Sequence, residues 1–249
     1  MEPVRTHRAK IVVEAARLHR AREREARGLT LVEGPDLLRD VIATGAQVVE
    51  VFAIASSGPP AIPDTLGPIL VDERALARLA GTKSPRGPVA VVEIPVERLD
   101  RSRNLLVSVG VSDPGNMGTM IRTAAAFGWG FAYTQGSADP WAPKTIRAGA
   151  GGQFQTPVAR IGTTRELGEW TTVAAVVRDG VDPVEISGNP VALLIGDEAH
   201  GLDDRLLVGA AHRMTIPTPG PTESLNAAVA AGIGVYALSG GSGEDRPAV

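Results

Sequence analysis

The stretch TIPTPGPTESLNAAVAA, residues 215–231, joins a short apolar strand, a loop with three prolines and an alanine-rich helix. Proline fixes φ and removes a backbone donor, so Pro217, Pro219 and Pro221 predict a stiff loop. Ser224 is the predicted N-cap of the helix, whose first N–H groups would face this loop. This is the layout of a ligand site, and an ordinary strand-to-helix turn is the alternative interpretation.

The residues that lead to this stretch alternate between strand and helix patterns from Leu105 onward. The segment Val191–Ile195 is wholly apolar, which is typical of a strand buried on both faces of a parallel sheet. Residues 105–239 are therefore predicted to form an α/β domain with a parallel sheet, and its last helix is expected to cover 224–238.

The first part of the chain, residues 1–97, predicts a separate small α/β domain. A helix from about His7 to Ala26 is expected to be followed by strands, among them Leu29–Glu33, Val48–Ile54, Ile69–Val71 and Val89–Ile94. Residues 98–104 lack periodicity and are the predicted linker. The glycine-rich end, residues 240–249, is the predicted disordered tail.

Composition places the chain among ordinary globular proteins, with 249 residues, 43% hydrophobic residues, 21% charged residues and a net charge of −3. It has no cysteine, which excludes a disulfide framework and thiolate zinc sites and fits a reducing, cytoplasmic location. No apolar run reaches membrane length, so no membrane partner is expected. Residues 5–27 are locally basic, which fits either a phosphate-bearing partner or a solvated helix face.

Polar side chains follow three predicted strands of the second domain. They belong to Asp113–Gly118 with Arg122, to Gly196–Leu202, and to the proline-rich loop that leads to Ser224 and Asn226. Ligands of open parallel sheets bind beyond the carboxyl ends of the strands, so these loops are expected to meet at one crevice.

Several familiar chemistries do not fit these loops. They contain no nucleophile elbow, no phosphate-binding Walker loop and no glycine fingerprint that follows a strand. Asp197, Glu198 and His200 are adjacent on one short loop without a distant partner, so no metal site is expected.

The same residues resemble the three ordered motifs of the SpoU/TrmH family of RNA 2′-O-ribose methyltransferases. The matching segments are DPGNMG (113–118) with Arg122, IGDEAHGL (195–202), and IP (216–217) followed by ESLNAAVA (223–230). The segment KTIRAGAG (144–151) also matches the family, and LVEG (31–34) is more loosely similar to a ribosomal-protein-like RNA-binding domain.

This resemblance implies a trefoil knot in the second domain, a homodimer, and S-adenosylmethionine as cofactor. The positions that match cofactor-binding residues are Gly196, Ile216 and Leu225. Those that match catalytic residues are Asn116, Arg122, Glu198, Ser224 and Asn226. RNA contacts are expected from Lys144 and Arg147, and from Lys83 and Arg86 in the first domain.

The expected reaction is methyl transfer to a ribose 2′-hydroxyl of structured RNA. Arginine stays protonated in proteins and is a poor base, so Arg122 is expected to hold a phosphate and stabilise the developing alkoxide. Glu198 is expected either to act in catalysis or to fix its loop by accepting backbone N–H bonds. Ribosomal RNA is favoured over transfer RNA, and a non-catalytic RNA-binding or ribosome-assembly protein and a base methyltransferase are the alternatives.

Overall fold

A computed structural model describes residues 4–54, 62, 66–82, 84–85, 87–96, 98–188, 190–197, 199–221 and 224–240. The chain divides into two compact units. The first contains residues 1–96 together with 139–155, and the second contains residues 97–138 and 156–249. The predicted linker 98–104 therefore falls within the second unit, and most of the predicted tail, 241–249, lies outside the described residues.

The first unit is built on a four-stranded mixed sheet with strand order β1-β4-β2-β3. Strand β4 is antiparallel to both β1 and β2, whereas β2 and β3 are parallel. The strands are β1 (Leu29–Glu33), β2 (Val48–Ile54), β3 (Ile69–Val71) and β4 (Val89–Glu93). The helices are α1 (Lys10–Ala16), α2 (Ala21–Arg27), α3 (Pro35–Ala43), α4 (Glu73–Ala80) and α6 (Pro143–Ala148).

The single helix predicted for residues 7–26 is wrong, because it is interrupted between α1 and α2. Residues Arg17–His19 form a 3-10 turn, and Arg20 has extended backbone angles. Leu18 in this turn is fully buried in the core.

Both faces of the first sheet are covered, and the side chains alternate between them along each strand. Leu31 and Val91 belong to the core cluster beneath α1 and α4. Val32 and Val92 belong to the opposite cluster, which also contains Ile146 of α6, fully buried. Residues 139–155 therefore join the first unit because they supply part of its core.

A buried polar network fixes the same segment. Arg24, 3% exposed, donates from Nε to the Asp139 carboxylate at 3.1 Å and from Nη1 to the Leu18 carbonyl at 2.6 Å. The hydroxyl of Thr30 donates to the Trp141 carbonyl at 2.7 Å. Because these polar groups are satisfied by each other, they can be buried without a large desolvation cost.

The second unit contains a six-stranded sheet in which every pairing is parallel, with strand order β10-β8-β9-β5-β6-β7. This confirms the predicted parallel α/β sheet. The strands are β5 (Leu105–Val109), β6 (Gly130–Tyr133), β7 (Val158–Arg160), β8 (Thr171–Ala175), β9 (Val191–Gly196) and β10 (His212–Met214). The helices are α5 (Pro114–Ala126), α7 (Asp204–Gly209) and α8 (Ala227–Leu238).

Strand β10 is hydrogen-bonded on both of its edges by one continuous segment of the chain, which consists of β8 and the turn that follows it. On one side it pairs with β8, and Val176 N–H donates to the Met214 carbonyl at 2.9 Å. On the other side, Val181 N–H donates to the Arg213 carbonyl at 2.8 Å. Within the turn between these partners, Gly180 lies directly against the end of β10, since a Cβ on it would lie 2.7 Å from the Met214 carbonyl carbon.

Candidate active site

The first motif begins α5 at the carboxyl end of β5. Asp113 caps this helix by accepting a hydrogen bond from Asn116 N–H at 2.8 Å, and Pro114 occupies its first turn. Proline and an aspartate cap are both favoured at a helix start. Asn116 is half-buried in this first turn, and Arg122 lies further along the helix with an exposed side chain.

The second motif lies beside the first, because β5 and β9 are neighbouring parallel strands. Val109 at the end of β5 is level with Gly196 at the end of β9. The next residue, Gly110, donates its N–H to Ser137 Oγ at 3.1 Å and to Thr134 Oγ1 at 3.2 Å. A Cβ on Gly110 would lie 3.8 Å from the Asp197 carboxylate, so the two loops face each other.

Asp197 organises the loop of the second motif. Its Oδ1 accepts hydrogen bonds from the N–H groups of Ala199 and His200, both at 2.8 Å. Its carbonyl accepts from Gly201 N–H at 3.0 Å. The backbone bonds from His200 and Ala199 hold the pKa of the Asp197 carboxyl below its ordinary value. Asp197 therefore fixes this loop, and Glu198 lies outside the described residues.

Gly196 leaves no room for a side chain. A Cβ there would lie 2.2 Å from the Gly201 carbonyl carbon and 2.7 Å from Leu202 N. The loop therefore folds back directly over the end of β9, and only glycine is compatible with this approach.

The third motif joins the first through an amide pair. Asn226 Nδ2 donates to Asn116 Oδ1 at 3.0 Å. Asn226 also caps α8, because its Oδ1 accepts from the N–H groups of Ala228 at 2.9 Å and Val229 at 3.2 Å. The prediction that Ser224 caps this helix is therefore wrong. The helix begins at Ala227, and the asparagine immediately before it reaches two free N–H groups.

The remaining site residues of the third motif lie on the connection from β10 to α8. Ile216 and Leu225 are half-buried, and Ser224 is exposed. Along the described part of this connection, the N–H groups of Ile216 and Thr218 donate to no other described residue.

The residues expected to contact RNA belong to the first unit or lie outside the description. Lys144 and Arg147 are exposed on α6, and Arg147 forms an ion pair of 2.9 Å with Glu33. Lys83 and Arg86 lie outside the described residues. Within the described ranges, no three His, Asp or Glu side chains cluster as metal ligands, and no helix is long and apolar enough to span a membrane.

Sequence reasoning missed Asp197 as the residue that fixes its loop, and it missed the second role of Asn226 as a cap. Both signals were present in the sequence. An aspartate two and three residues before free N–H groups is typical of a turn closed by its side chain, as in DEAH at 197–200. Asparagine immediately before an alanine-rich run is as good a cap candidate as serine.

Comparison with known proteins supplies independent information on these motifs. The SpoU rRNA Methylase family model matches residues 103–236. A relative in Bacillus subtilis (strain 168), named 23S rRNA (guanosine(2553)-2′-O)-methyltransferase RlmP, is 32% identical over 248 residues, covering 96% of this chain and all of the relative. A 23S rRNA (uridine(2479)-2′-O)-methyltransferase of Streptomyces viridochromogenes is 32% identical and covers 60% of this chain and 58% of its own length.

Solved structures agree with the sequence relatives. The SpoU methyltransferase AviRb from Streptomyces viridochromogenes, in complex with the cofactor AdoMet, is 25% identical and has a TM-score of 0.83 over 93% of this chain and 97% of its own. The AdoMet-bound rRNA methyltransferase from Sinorhizobium meliloti is 26% identical and has a TM-score of 0.78 over 94% and 97% of the two chains.

Proposed function

The chain belongs to the SpoU rRNA methylase family, and on this premise we propose that it transfers a methyl group from S-adenosylmethionine to a ribose 2′-hydroxyl of 23S rRNA. The observation that carries the proposal is the meeting of the three motifs at one edge of the parallel sheet. Gly196 is level with Val109, and Asn226 is bonded to Asn116 at 3.0 Å.

The site residues fit S-adenosylmethionine as a ligand held by backbone and apolar contacts. Ile216 and Leu225 offer half-buried apolar side chains, and the backbone N–H groups of Ile216 and Thr218 are free among described residues. Gly196 allows its loop to fold back over the end of β9, which shapes the backbone on this side of the site. We assign Gly196, Ile216 and Leu225 to the cofactor on this basis. When bound, the cofactor supplies an electrophilic methyl carbon on its sulfonium group.

Arg122 is the residue we assign to the reacting oxygen. Its guanidinium is exposed on α5 and forms no ion pair with a described residue. Because arginine keeps its charge, it suits a phosphate neighbouring the target ribose and the negative charge that develops on the 2′-oxygen. Phosphate or water would take the proton. Asn116 and Asn226, bonded to each other, would orient the ribose, and Ser224 and Glu198 are proposed as further contacts.

We also propose the trefoil knot of the family for the second unit. The support is that β10 lies between β8 and Val181, which belong to one continuous segment, and is bonded to both. Residues 213–215 would then pass through the loop that contains Gly180.

A homodimer is proposed from the outer face of α8. Helix α8 is apolar on all sides, and Val229, Ile233 and Tyr236 recur at helical spacing while 39–50% exposed. Tyr236 also packs edge-on against Phe127, which extends the apolar surface. A second copy of the chain would cover this stripe. Sedimentation analysis of the Ile233→Asp variant tests the assignment, since a charge there should yield monomers.

The first unit is proposed to be the ribosomal-protein-like domain that binds the RNA substrate, with Lys144 and Arg147 on its surface. The ion pair of Arg147 with Glu33 leaves Lys144 as the less constrained phosphate contact. An enzyme that modifies ribosomal RNA would work in the cytoplasm.

Tritium transfer from labelled S-adenosylmethionine to total RNA tests the function. We expect incorporation into 23S rRNA and, after nuclease digestion, a labelled 2′-O-methylnucleoside. The Arg122→Ala variant should lose turnover by about 100-fold or more and keep cofactor affinity, whereas Arg165→Ala, another exposed arginine of the second unit, should behave as the parent does. Label in transfer RNA, label on a base, or an unmethylated RNA would each overturn the proposal in favour of one of the alternatives.

A further inference from the structure

The carboxyl end of helix α4 in the first unit is held between two N-terminal segments. Arg78 Nη1 donates to the His7 carbonyl at 2.7 Å. His19 Nε2 lies 2.9 Å from the Leu79 carbonyl and must donate there, because a carbonyl oxygen only accepts. A Cβ on Gly81 would lie 2.8 Å from the His19 ring. The segments at 7–8 and 19–20 therefore both reach this end of the helix.

Each of these segments carries an arginine immediately after its histidine. Arg8 and Arg20 are exposed, and neither forms an ion pair or side-chain hydrogen bond with a described residue. In the same part of the chain, Arg17 is paired with Glu14 at 3.0 Å. Among the described residues, no carboxylate therefore pairs with the side chains of Arg8 and Arg20.

Two buried side-chain atoms in these segments, His7 Nδ1 and Thr82 Oγ1, have no hydrogen-bond partner among the described residues. His7 is bonded through its carbonyl to Arg78, and Thr82 follows the glycine that touches His19. A buried polar atom without a partner costs stability. A ligand rich in hydrogen-bonding oxygens could remove this cost after a small movement of the side chains.

We propose that these six residues form a docking surface for the sugar-phosphate backbone of the RNA substrate: His7, Arg8, His19, Arg20, Arg78 and Thr82. We name it the α4-end surface. Its guanidinium groups would bind phosphate oxygens, and the histidine and threonine atoms would meet phosphate or ribose hydroxyl oxygens. Contacts of this kind fix the position of an RNA without reading its bases. The inference rests on the proposed function and specifies which face of the first unit holds the substrate.

The test is the salt dependence of RNA binding by the full chain. Each phosphate contact contributes about 0.7 to 0.9 to the slope of log K against log salt concentration. The Arg8→Ala/Arg20→Ala double variant should therefore bind transcribed 23S rRNA with a slope lowered by about 1.4 to 1.8, and about 10- to 50-fold more weakly at 0.1 M salt. The Arg8→Lys/Arg20→Lys variant should keep the parent slope, because lysine retains the charge.

The matched control is Arg17→Ala/Arg39→Ala, which removes two exposed arginines that are paired with Glu14 and Asp36. This control should lower the slope by less than half of the decrease expected for Arg8→Ala/Arg20→Ala. An unchanged slope in Arg8→Ala/Arg20→Ala would overturn the inference. It would favour a protein, and not RNA, as the partner of the α4-end surface. Because this readout involves no methyl transfer, a lowered slope in a chain that transfers no methyl group would refute the proposed function alone.

Discussion

Replacement of Asn226 separates two roles that the structure gives to one side chain. Its Oδ1 caps α8, and its Nδ2 holds Asn116. Loss of a helix cap costs about 1 kcal/mol, and loss of an exposed amide hydrogen bond adds about 0.5 kcal/mol. Asn226→Ala should therefore be destabilised by about 1.5 kcal/mol, which corresponds to a fall in Tm of about 3–6 °C for a chain of this size.

Asn226→Ser provides the matched comparison. A serine hydroxyl caps a helix nearly as well as asparagine, but it is too short to reach Asn116. The serine variant should melt within about 2 °C of the parent. Both variants should lose turnover to a similar extent, about 100-fold, because the pairing that orients Asn116 is gone in each.

Thermal melting followed by circular dichroism, together with tritiated methyl incorporation at saturating cofactor, measures both effects. Parent-like turnover in Asn226→Ser would refute the claim that the amide pair orients the reaction. An unchanged Tm in Asn226→Ala would refute the cap. If Asn226→Ser lowered both the Tm and the turnover as much as Asn226→Ala does, the two roles could not be separated by these variants.

Three further outcomes follow from local geometry. Gly196→Ala should weaken cofactor binding more than 10-fold in calorimetry, since its Cβ would overlap the Gly201 backbone, whereas Gly209→Ala meets no atom within 4 Å and should bind normally. Arg24→Ala removes the ion-pair partner of Asp139, whose carboxylate keeps, among the described residues, only the bond from Trp141 N–H, and should lower the free energy of unfolding in urea by about 3 kcal/mol; parent-like stability would contradict the network. Charged Asp197 stabilises the fold above its unfolded pKa of 3.8, and this contribution should be lost as pH falls through the lower folded pKa. The stability difference between parent and Asp197→Asn should therefore be constant above about pH 5 and shrink in stronger acid, and a difference that did not shrink as the pH fell below 3.8 would refute this.

Strands were predicted well where an apolar run is bounded by turn residues. The predicted bounds of Leu29–Glu33, Val48–Ile54 and Ile69–Val71 match those of β1, β2 and β3. Helix starts were less accurate. The last helix was expected from residue 224 and begins at Ala227, because Asn226 and not Ser224 caps it.

Features that depend on distant parts of the chain were not predictable from local patterns. The short apolar strand expected at the start of 215–231 is β10 at His212–Met214, because its position is set by pairing with β8 and not by its own hydrophobicity. The bond between Asn116 and Asn226 joins residues 110 positions apart. Motif resemblance selected both asparagines, but no property of either segment revealed that their amide groups meet.

The first unit is assembled from two separate segments of the chain, residues 1–96 and 139–155, and this has a consequence for its synthesis on the ribosome. Its core requires Ile146, and its buried ion pair requires Asp139, yet both are translated after β5 and α5 of the second unit. A nascent chain of about 100 residues would therefore emerge with one sheet face only partly covered, by α3 but not by α6. The N-terminal half cannot complete its core until codons 139–155 have been translated.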